Sequence, residues 1–148
     1  MGAPENDVLE QEEELMAVHN ITLTATKVTG QNEIAVAGRG GRSLGKGSGK
    51  HTFKFKIIDT TGKNVRFHSL RAADDCSTCP PKAGQPNTQI VLGPIDNDPS
   101  HGPRTAEFDD KNDNKPEMDV SYEWRFTCDD PAIKVLPFDP IISNGGRV

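Results

Sequence analysis

The clearest pattern in the chain is an alternation of apolar and polar residues over His51–Leu70. Phenylalanine and isoleucine at positions 53, 55 and 57 alternate with lysine, which is the period-two pattern of a half-buried strand. Thr60–Lys63 then supplies turn residues, and Val65, Phe67 and Ser69 alternate again. Two strands around a short glycine-containing turn predict a β-hairpin against which the rest of the fold is laid.

Similar alternation predicts further strands elsewhere in the chain. Asn20–Val28 and Glu33–Ala37 alternate on either side of a turn, so they predict a second hairpin. Met118–Cys128 places bulky residues on one face, and we expect this strand to meet Phe53 and Phe55 across the core. Shorter apolar runs predict a buried strand at Thr88–Leu92 and final strands at Ile133–Leu136 and Asp139–Ser143.

The segments between these runs read as loops. Gly38–Gly49 is glycine-rich and basic, and it predicts a mobile loop. Asp96–Pro103 and Asp109–Pro116 are loops by composition. With 14 Gly, 11 Pro and 33% hydrophobic residues, the chain fits a β domain with long connections. We expect an all-β fold, an antiparallel β-sandwich of the immunoglobulin-like kind, with a barrel as the alternative.

The 148 residues suffice for one domain with its own core. Asp7–Glu10 has the residues of a helix N-cap, but the apolar stripe that follows is thin. We therefore expect an acidic N-terminal helix or disordered tail over residues 1–18, and a single sandwich domain over residues 19–148. The sequence has no apolar run of membrane-spanning length and no secretory signal, which favours a cytoplasmic location.

The net charge of −5 hides a segregation of sign. Residues 1–18 carry six acidic residues and no Lys or Arg, whereas residues 39–56 carry six basic residues and no acid. Such runs most often form solvated surfaces that complement each other within one molecule. They also suggest binding surfaces at Gly38–Lys50 and Asp96–Asp119, for a protein partner or for head-to-tail self-association. No aromatic residue interleaves the basic loop to stack bases, which argues against nucleic acid.

One acidic loop has the residue types of a calcium site. Asp110–Glu117 reads DKNDNKPE and resembles the DxNDNxP linker of cadherin repeats, in which Asp and Asn oxygens bind calcium. The match covers eight residues and the other acidic motifs of a cadherin repeat are missing, so only a calcium-loop hypothesis remains. Ca²⁺ prefers six to eight hard oxygen ligands. The candidate calcium ligands are Asp96, Asp98, Asp110, Asn112, Asp113 and Asp119.

The three cysteines suggest a second metal hypothesis. Cys76 and Cys79 form a CxxC, which is half of a zinc signature, and Cys128 with His68 or His101 would complete a Cys₃His set. The alternatives are a Cys128 that packs in the core as a small hydrophobe and a CxxC that is reduced or locally bridged. Calcium and zinc are the only cofactors that the sequence suggests.

Catalytic patterns are weak in this chain, and whether it is an enzyme stays open. Gly40–Gly47 differs by one residue from a P-loop, but Gly47 replaces the Ser or Thr that holds Mg²⁺. A strand follows this loop, whereas a P-loop must open a helix. No serine has a nucleophile elbow around it. A hydrolase that uses loop carboxylates is one alternative function.

The C-terminal residues hold two Asp-Pro steps, Asp130–Pro131 and Asp139–Pro140, and continue as IISN. This segment resembles the close of small bacterial proteins grouped as the DP-EP family. The resemblance implies a β-sandwich and carries over no catalytic residue. We therefore expect a non-enzymatic binding or interaction module, with a metal-stabilised domain as the first alternative.

Overall fold

Ten strands and one short 3₁₀ helix form the part of the chain that the computed structural model describes, residues 17–77 and 79–147. These residues contain no α-helix, and the prediction of an all-β fold is confirmed. The 3₁₀ helix, Pro99–His101, precedes the seventh strand. The strands are β1 (Val18–Lys27), β2 (Glu33–Ala37), β3 (Arg42–Leu44), β4 (His51–Asp59), β5 (Arg66–Ala73), β6 (Ile90–Asp96), β7 (Thr105–Asp110), β8 (Met118–Thr127), β9 (Lys134–Val135) and β10 (Ile141–Asn144).

The strands form a six-stranded sheet, in the order β6-β7-β4-β1-β2-β9, and a four-stranded sheet, in the order β3-β10-β8-β5. The pairs β1–β4, β2–β9 and β3–β10 are parallel, and the other pairs are antiparallel. Both sheets are therefore mixed, and the expected purely antiparallel pairing is not found. Alternation identifies the buried face of a strand, but it does not give the direction of the neighbouring strand.

The predicted hairpin over His51–Leu70 is wrong, because β4 and β5 belong to different sheets. The Asp59 carboxylate accepts hydrogen bonds from the backbone N–H groups of Thr61 and Val65, which shapes the segment that crosses between the sheets. Each strand buries its aromatic residues toward the same core from opposite sides. The hairpin predicted from β1 and β2 is confirmed, with Thr24 opposite Ala37 and Lys27 opposite Ile34.

Aromatic rings join the two sheets. Phe55 of β4 contacts Tyr122 and Trp124 of β8, with ring centroids 5.8 Å and 5.5 Å apart. Phe108 of β7 contacts Tyr122 at 4.8 Å and also stacks on Phe53 within its own sheet. The expected meeting of β8 with β4 is thus confirmed through Phe55, while Phe53 reaches this cluster through Phe108.

Three sequence expectations fail in the loops and at the edges. β7 lies in the interior of the larger sheet although no strand was predicted there. The basic segment predicted as mobile contains β3, and its Gly40 and Leu44 are buried. β6 was expected to be buried, yet it is an edge strand that leaves Val91 and Leu92 about half exposed. The N-terminal helix or tail lies mostly outside the described residues, and Val18 already belongs to β1.

Removing the Phe108 ring should cost far more than removing an apolar residue that faces it across the strand pair. Phe108 is fully buried, so Phe108→Ala should lower the free energy of unfolding by about 3–5 kcal/mol. Leu92 is its cross-strand partner but is 52% exposed, so Leu92→Ala should cost less than about 1 kcal/mol. Urea unfolding measures both, and equal losses would contradict this description of the core.

Candidate functional site

The six candidate calcium ligands are not brought together. Asp96 pairs with Thr105 at one end of β7, and Asp110 forms the other end, so roughly 17 Å of strand separates them. The Asp96 and Asp98 carboxylates instead flank the His101 ring, at 2.9 Å and 3.5 Å. Asp119 accepts a hydrogen bond from the Ser143 hydroxyl.

The four candidate zinc ligands are also separated. Cys76 and Cys79 form a disulfide, as the locally bridged alternative has it. Cys76 lies beside the start of β8, whereas Cys128 follows its end and donates a hydrogen bond to the Asp130 carbonyl. His68 is exposed on β5 and contacts Ser69. No group of three or more His, Cys, Asp or Glu side chains in residues 17–77 and 79–147 is arranged to hold a metal ion.

The DKNDNKPE loop and β10 form a buried polar cluster, which we call the asparagine junction: Asp110, Asn112, Asn114 and Asn144. The Asn144 amide donates to Asp110 Oδ1 at 2.7 Å and to Asn114 Oδ1 at 3.3 Å. Asn112 has φ 49°, a left-handed conformation that Asn tolerates, and its Oδ1 accepts from the Gly146 N–H. These contacts anchor the C-terminal strand to the loop after β7.

Asp110 is the ionisable member of the junction, and one of its carboxylate oxygens lacks a partner in the described part of the chain. Its Oδ1 accepts from Asn144 and from the Asn112 N–H, but its Oδ2 is buried without a hydrogen-bond partner among the described residues. Burial raises the pKa of Asp110 to about 6, although the hydrogen bonds from Asn144 and Asn112 lower it and the Asp113 charge raises it. This carboxyl keeps its proton to a higher pH than an exposed Asp does, because an ionised carboxylate at this position loses its water shell.

The basic segment before β4 is held by the core and by the junction. A Cβ at Gly40 would overlap the Tyr122 hydroxyl and the Phe138 ring, so only glycine fits there. The Tyr122 hydroxyl donates to the Gly40 carbonyl at 2.9 Å, and the Asn112 amide donates to the Gly49 carbonyl at 3.3 Å. The backbone of this segment is therefore held at both ends.

The outward face of the six-stranded sheet carries an open groove of about 370 Å³ across β1, β4 and β7. Its outward side chains include Asn20, Thr22, Lys54, Lys56 and Glu107, because Ile21, Phe55 and Ala106 point into the core. A second, shallower groove shares Asn20 and Thr22 with it and continues over β2 to Arg39 and Arg42. Strand pairing thus extends one surface from β7 to the basic segment.

Cations dominate this continuous surface, which we call the basic face: Arg39, Arg42, Lys54 and Lys56. Lys54 lies 3.6 Å from the Glu107 carboxylate. Within the described residues the other three have no carboxylate partner, and Arg42 instead donates to the carbonyls of Arg39 and Gly41. Carboxylates of the acidic surface Asp96–Asp119 are largely paired inside the molecule. For example, Lys50 pairs with Asp109 and Arg147 pairs with Asp113. The cations of the basic face are therefore more available to a binding partner than the carboxylates of Asp96–Asp119.

The sequence marked the basic segment, but it did not show that Lys54 and Lys56 join Arg39 and Arg42 on one face. The signal was present in the alternation of β4, which directs both lysines outward.

Comparison with known proteins adds nothing to this geometry: no protein-family model matches the chain, and no curated protein matches it significantly. The described part of the chain also contains no helix with the length and apolar character that a membrane crossing requires.

The contribution of the buried Asp110 to stability should fall as pH rises from about 4 to about 6. His19 titrates in the opposite sense over this range, because burial lowers its pKa to about 4, so the Asp110 contribution must be measured against a variant that lacks this carboxyl. An unfolded Asp ionises near 3.9, whereas the folded carboxyl keeps its proton until about 6. The folded state binds more protons between these values, so its advantage is complete below about 4 and is lost as pH rises through 6. The shift from 3.8 to about 6 corresponds to roughly 3 kcal/mol as an upper value.

Urea unfolding of Asp110→Asn and of the natural chain between pH 4 and pH 7 measures this loss. The Asn variant keeps an acceptor at Oδ1 and cannot titrate, so the natural chain should lose stability relative to this variant as pH rises from about 4 through 6. Asp119→Asn is the matched control, since Asp119 is exposed on β8, and it should retain the natural profile. Parallel profiles for Asp110→Asn and the natural chain would contradict the assigned pKa.

Proposed function

We propose that the protein is an interaction module that binds an acidic segment of a partner protein on the basic face. The observation that supports this proposal is a set of three cations beside an open groove, Arg39, Arg42 and Lys56, none of which has a carboxylate partner within residues 17–77 and 79–147. Acidic side chains would supply the missing counter-charges. We also propose that the two packed sheets form an immunoglobulin-like sandwich.

The shape of the surface favours an extended polypeptide. Asn20, Thr22 and Thr24 present small polar side chains along β1, between the lysines of β4 and the arginines that follow β2. Such side chains give hydrogen bonds without filling the groove. Electrostatic complementarity of this kind sets partner choice and association rate more than it sets raw affinity.

Head-to-tail self-association is a weaker use of the same surface. The acidic loop of a second copy would have to give up pairs that it already makes, such as Lys50 with Asp109 and Arg147 with Asp113. These exposed pairs are individually worth little. They nevertheless lower the charge that this loop can offer to another molecule.

Binding of a fluorescent twelve-residue poly-glutamate peptide, followed by anisotropy, tests the proposal. The natural chain should bind, and binding should weaken as ionic strength rises, because exposed charges are screened. Lys56→Glu combined with Arg39→Glu should weaken binding by about tenfold or more, since each change replaces an attraction with a repulsion. Lys82→Glu changes charge in the same direction on an exposed loop outside the basic face, and it should change affinity by less than about twofold.

Sedimentation of the natural chain without peptide separates the two kinds of partner. A monomer at low salt supports a separate acidic protein as the ligand. Salt-sensitive dimers that Lys56→Glu abolishes would identify a second copy as the partner instead. Equal peptide binding by the basic-face variant and the Lys82→Glu control would overturn the proposed surface.

A further inference from the structure

Three side chains are linked in series at the end of the molecule that holds the asparagine junction. Ser48 Oγ lies 2.8 Å from His51 Nε2, and His51 Nδ1 lies 2.9 Å from His19 Nε2. Ser48 is exposed, His19 is half-buried and His51 is buried. A surface hydroxyl is thereby linked to two imidazoles in series.

Packing fixes the two imidazoles. His51 opens β4 and His19 lies on β1, and the parallel pairing of these strands places His19 opposite Phe53. The His19 ring stacks on Phe53 at 4.6 Å and on His51 at 5.1 Å. The side chains point to the inner face because they continue the alternation that buries Phe53 and Ile21.

The backbone presents Ser48 at a sharp turn. Gly47 and Gly49 flank it with φ angles of 76° and 73°, which glycine adopts without the strain that other residues meet. The Ser48 N–H closes the turn by donating to the Gly45 carbonyl at 3.2 Å. The Asn112 amide, itself held in the asparagine junction, donates to Ser48 Oγ at 3.1 Å.

The hydroxyl proton has two acceptors. The Gly45 carbonyl lies 2.6 Å from Ser48 Oγ and His51 Nε2 lies 2.8 Å from it, so rotation about the C–O bond alone moves the proton from one to the other. When the hydroxyl donates to His51 Nε2, the proton on His51 Nδ1 is directed at His19 Nε2. Burial, with contributions from His51 and Arg42, lowers the pKa of His19 to about 4, so that ring is neutral near pH 7 and can accept this hydrogen bond.

We propose that Ser48 is the nucleophile of an acyl-transfer site that cleaves carboxylic esters, with His51 as its general base and His19 as a positioning residue that orients His51. This activity goes beyond the binding function of the basic face and does not depend on it. A hydroxyl, a base within hydrogen-bond reach and a third group that orients the base are the parts that nucleophilic catalysis by serine requires.

The reaction balances with an ester and one water molecule. Ser48 Oγ bonds to the ester carbonyl carbon as its proton passes to His51 Nε2, and the carbonyl π electrons move onto oxygen. Collapse breaks the carbon–oxygen bond to the alkoxide, which takes the proton from His51 and leaves as an alcohol. Water, deprotonated by His51, then attacks the acyl-serine and releases the carboxylic acid, and the proton returns to Ser48.

Labelling of the full chain with a fluorophosphonate tests the proposal directly. Ser48 Oγ displaces fluoride at phosphorus, and peptide mass spectrometry locates the label. Ser48 should react at least about a hundredfold faster than Ser100, which is also exposed but donates to the Asp98 carboxylate rather than to an imidazole. Both serines are on the same molecule, so this comparison requires no variant. An unlabelled chain, or equal labelling of the two serines, would overturn the proposal.

Variants then separate the chemical roles from a structural one. Ser48→Ala should abolish the label and the hydrolysis of p-nitrophenyl acetate, whereas Ser100→Ala should leave both unchanged. His51→Gln should slow labelling of Ser48 by about a hundredfold or more. Labelling that stays equally fast in a folded His51→Gln variant would exclude His51 as the base.

His19 is tested by conservative rescue. His19→Gln retains a carbonyl oxygen that can accept a hydrogen bond, so its labelling rate should stay within a few-fold of the natural chain. His19→Leu keeps the bulk without an acceptor and should label roughly tenfold more slowly, at a similar unfolding midpoint. Equal labelling rates in these two variants would exclude a positioning role for His19.

Discussion

Contact between aromatic rings of the two sheets is the interaction on which the rest of the structure depends. Phe55 and Phe108 from one sheet meet Tyr122 and Trp124 from the other, and all four are buried almost completely. Each such ring buries a large apolar area, in a chain that is only 33% hydrophobic. The Tyr122 hydroxyl extends the core to Gly40, so the same contact also anchors the basic segment.

Alternation in the sequence predicted most of the strands, because burial of one face is a local property. It failed at Thr105–Asp110, where only Ala106 and Phe108 are apolar and acidic residues surround them. Asp110 occupies the third inward position there because Asn144, which is 34 residues away, donates to it. Strand direction and the assignment of β4 and β5 to different sheets depend on long-range packing, which a local pattern does not contain.

The candidate sites also depend partly on local patterns and partly on long-range packing. Clustered Asp and Asn suggested calcium because both offer oxygen ligands, but an asparagine amide also donates, and at 112, 114 and 144 the amides donate to neighbouring chain atoms. The sequence cannot state which end of an amide is used. Similarly, His19 and His51 are 32 residues apart, and only the parallel pairing of β1 with β4 brings their rings together.

Asn112 links the junction to the proposed nucleophile. Its backbone N–H binds Asp110, its Oδ1 binds the Gly146 N–H, and its amide reaches Ser48. The geometry around Ser48 is therefore set by buried contacts, although the hydroxyl itself is exposed. The basic face lies on the outward side of the sheet, whereas His19 and His51 face inward from the same two strands. Because alternate residues of β1 and β4 serve the two surfaces, a substitution at Lys56 can weaken binding without disturbing the imidazoles. Arg42 is different, because its charge contributes to the lowered pKa of His19.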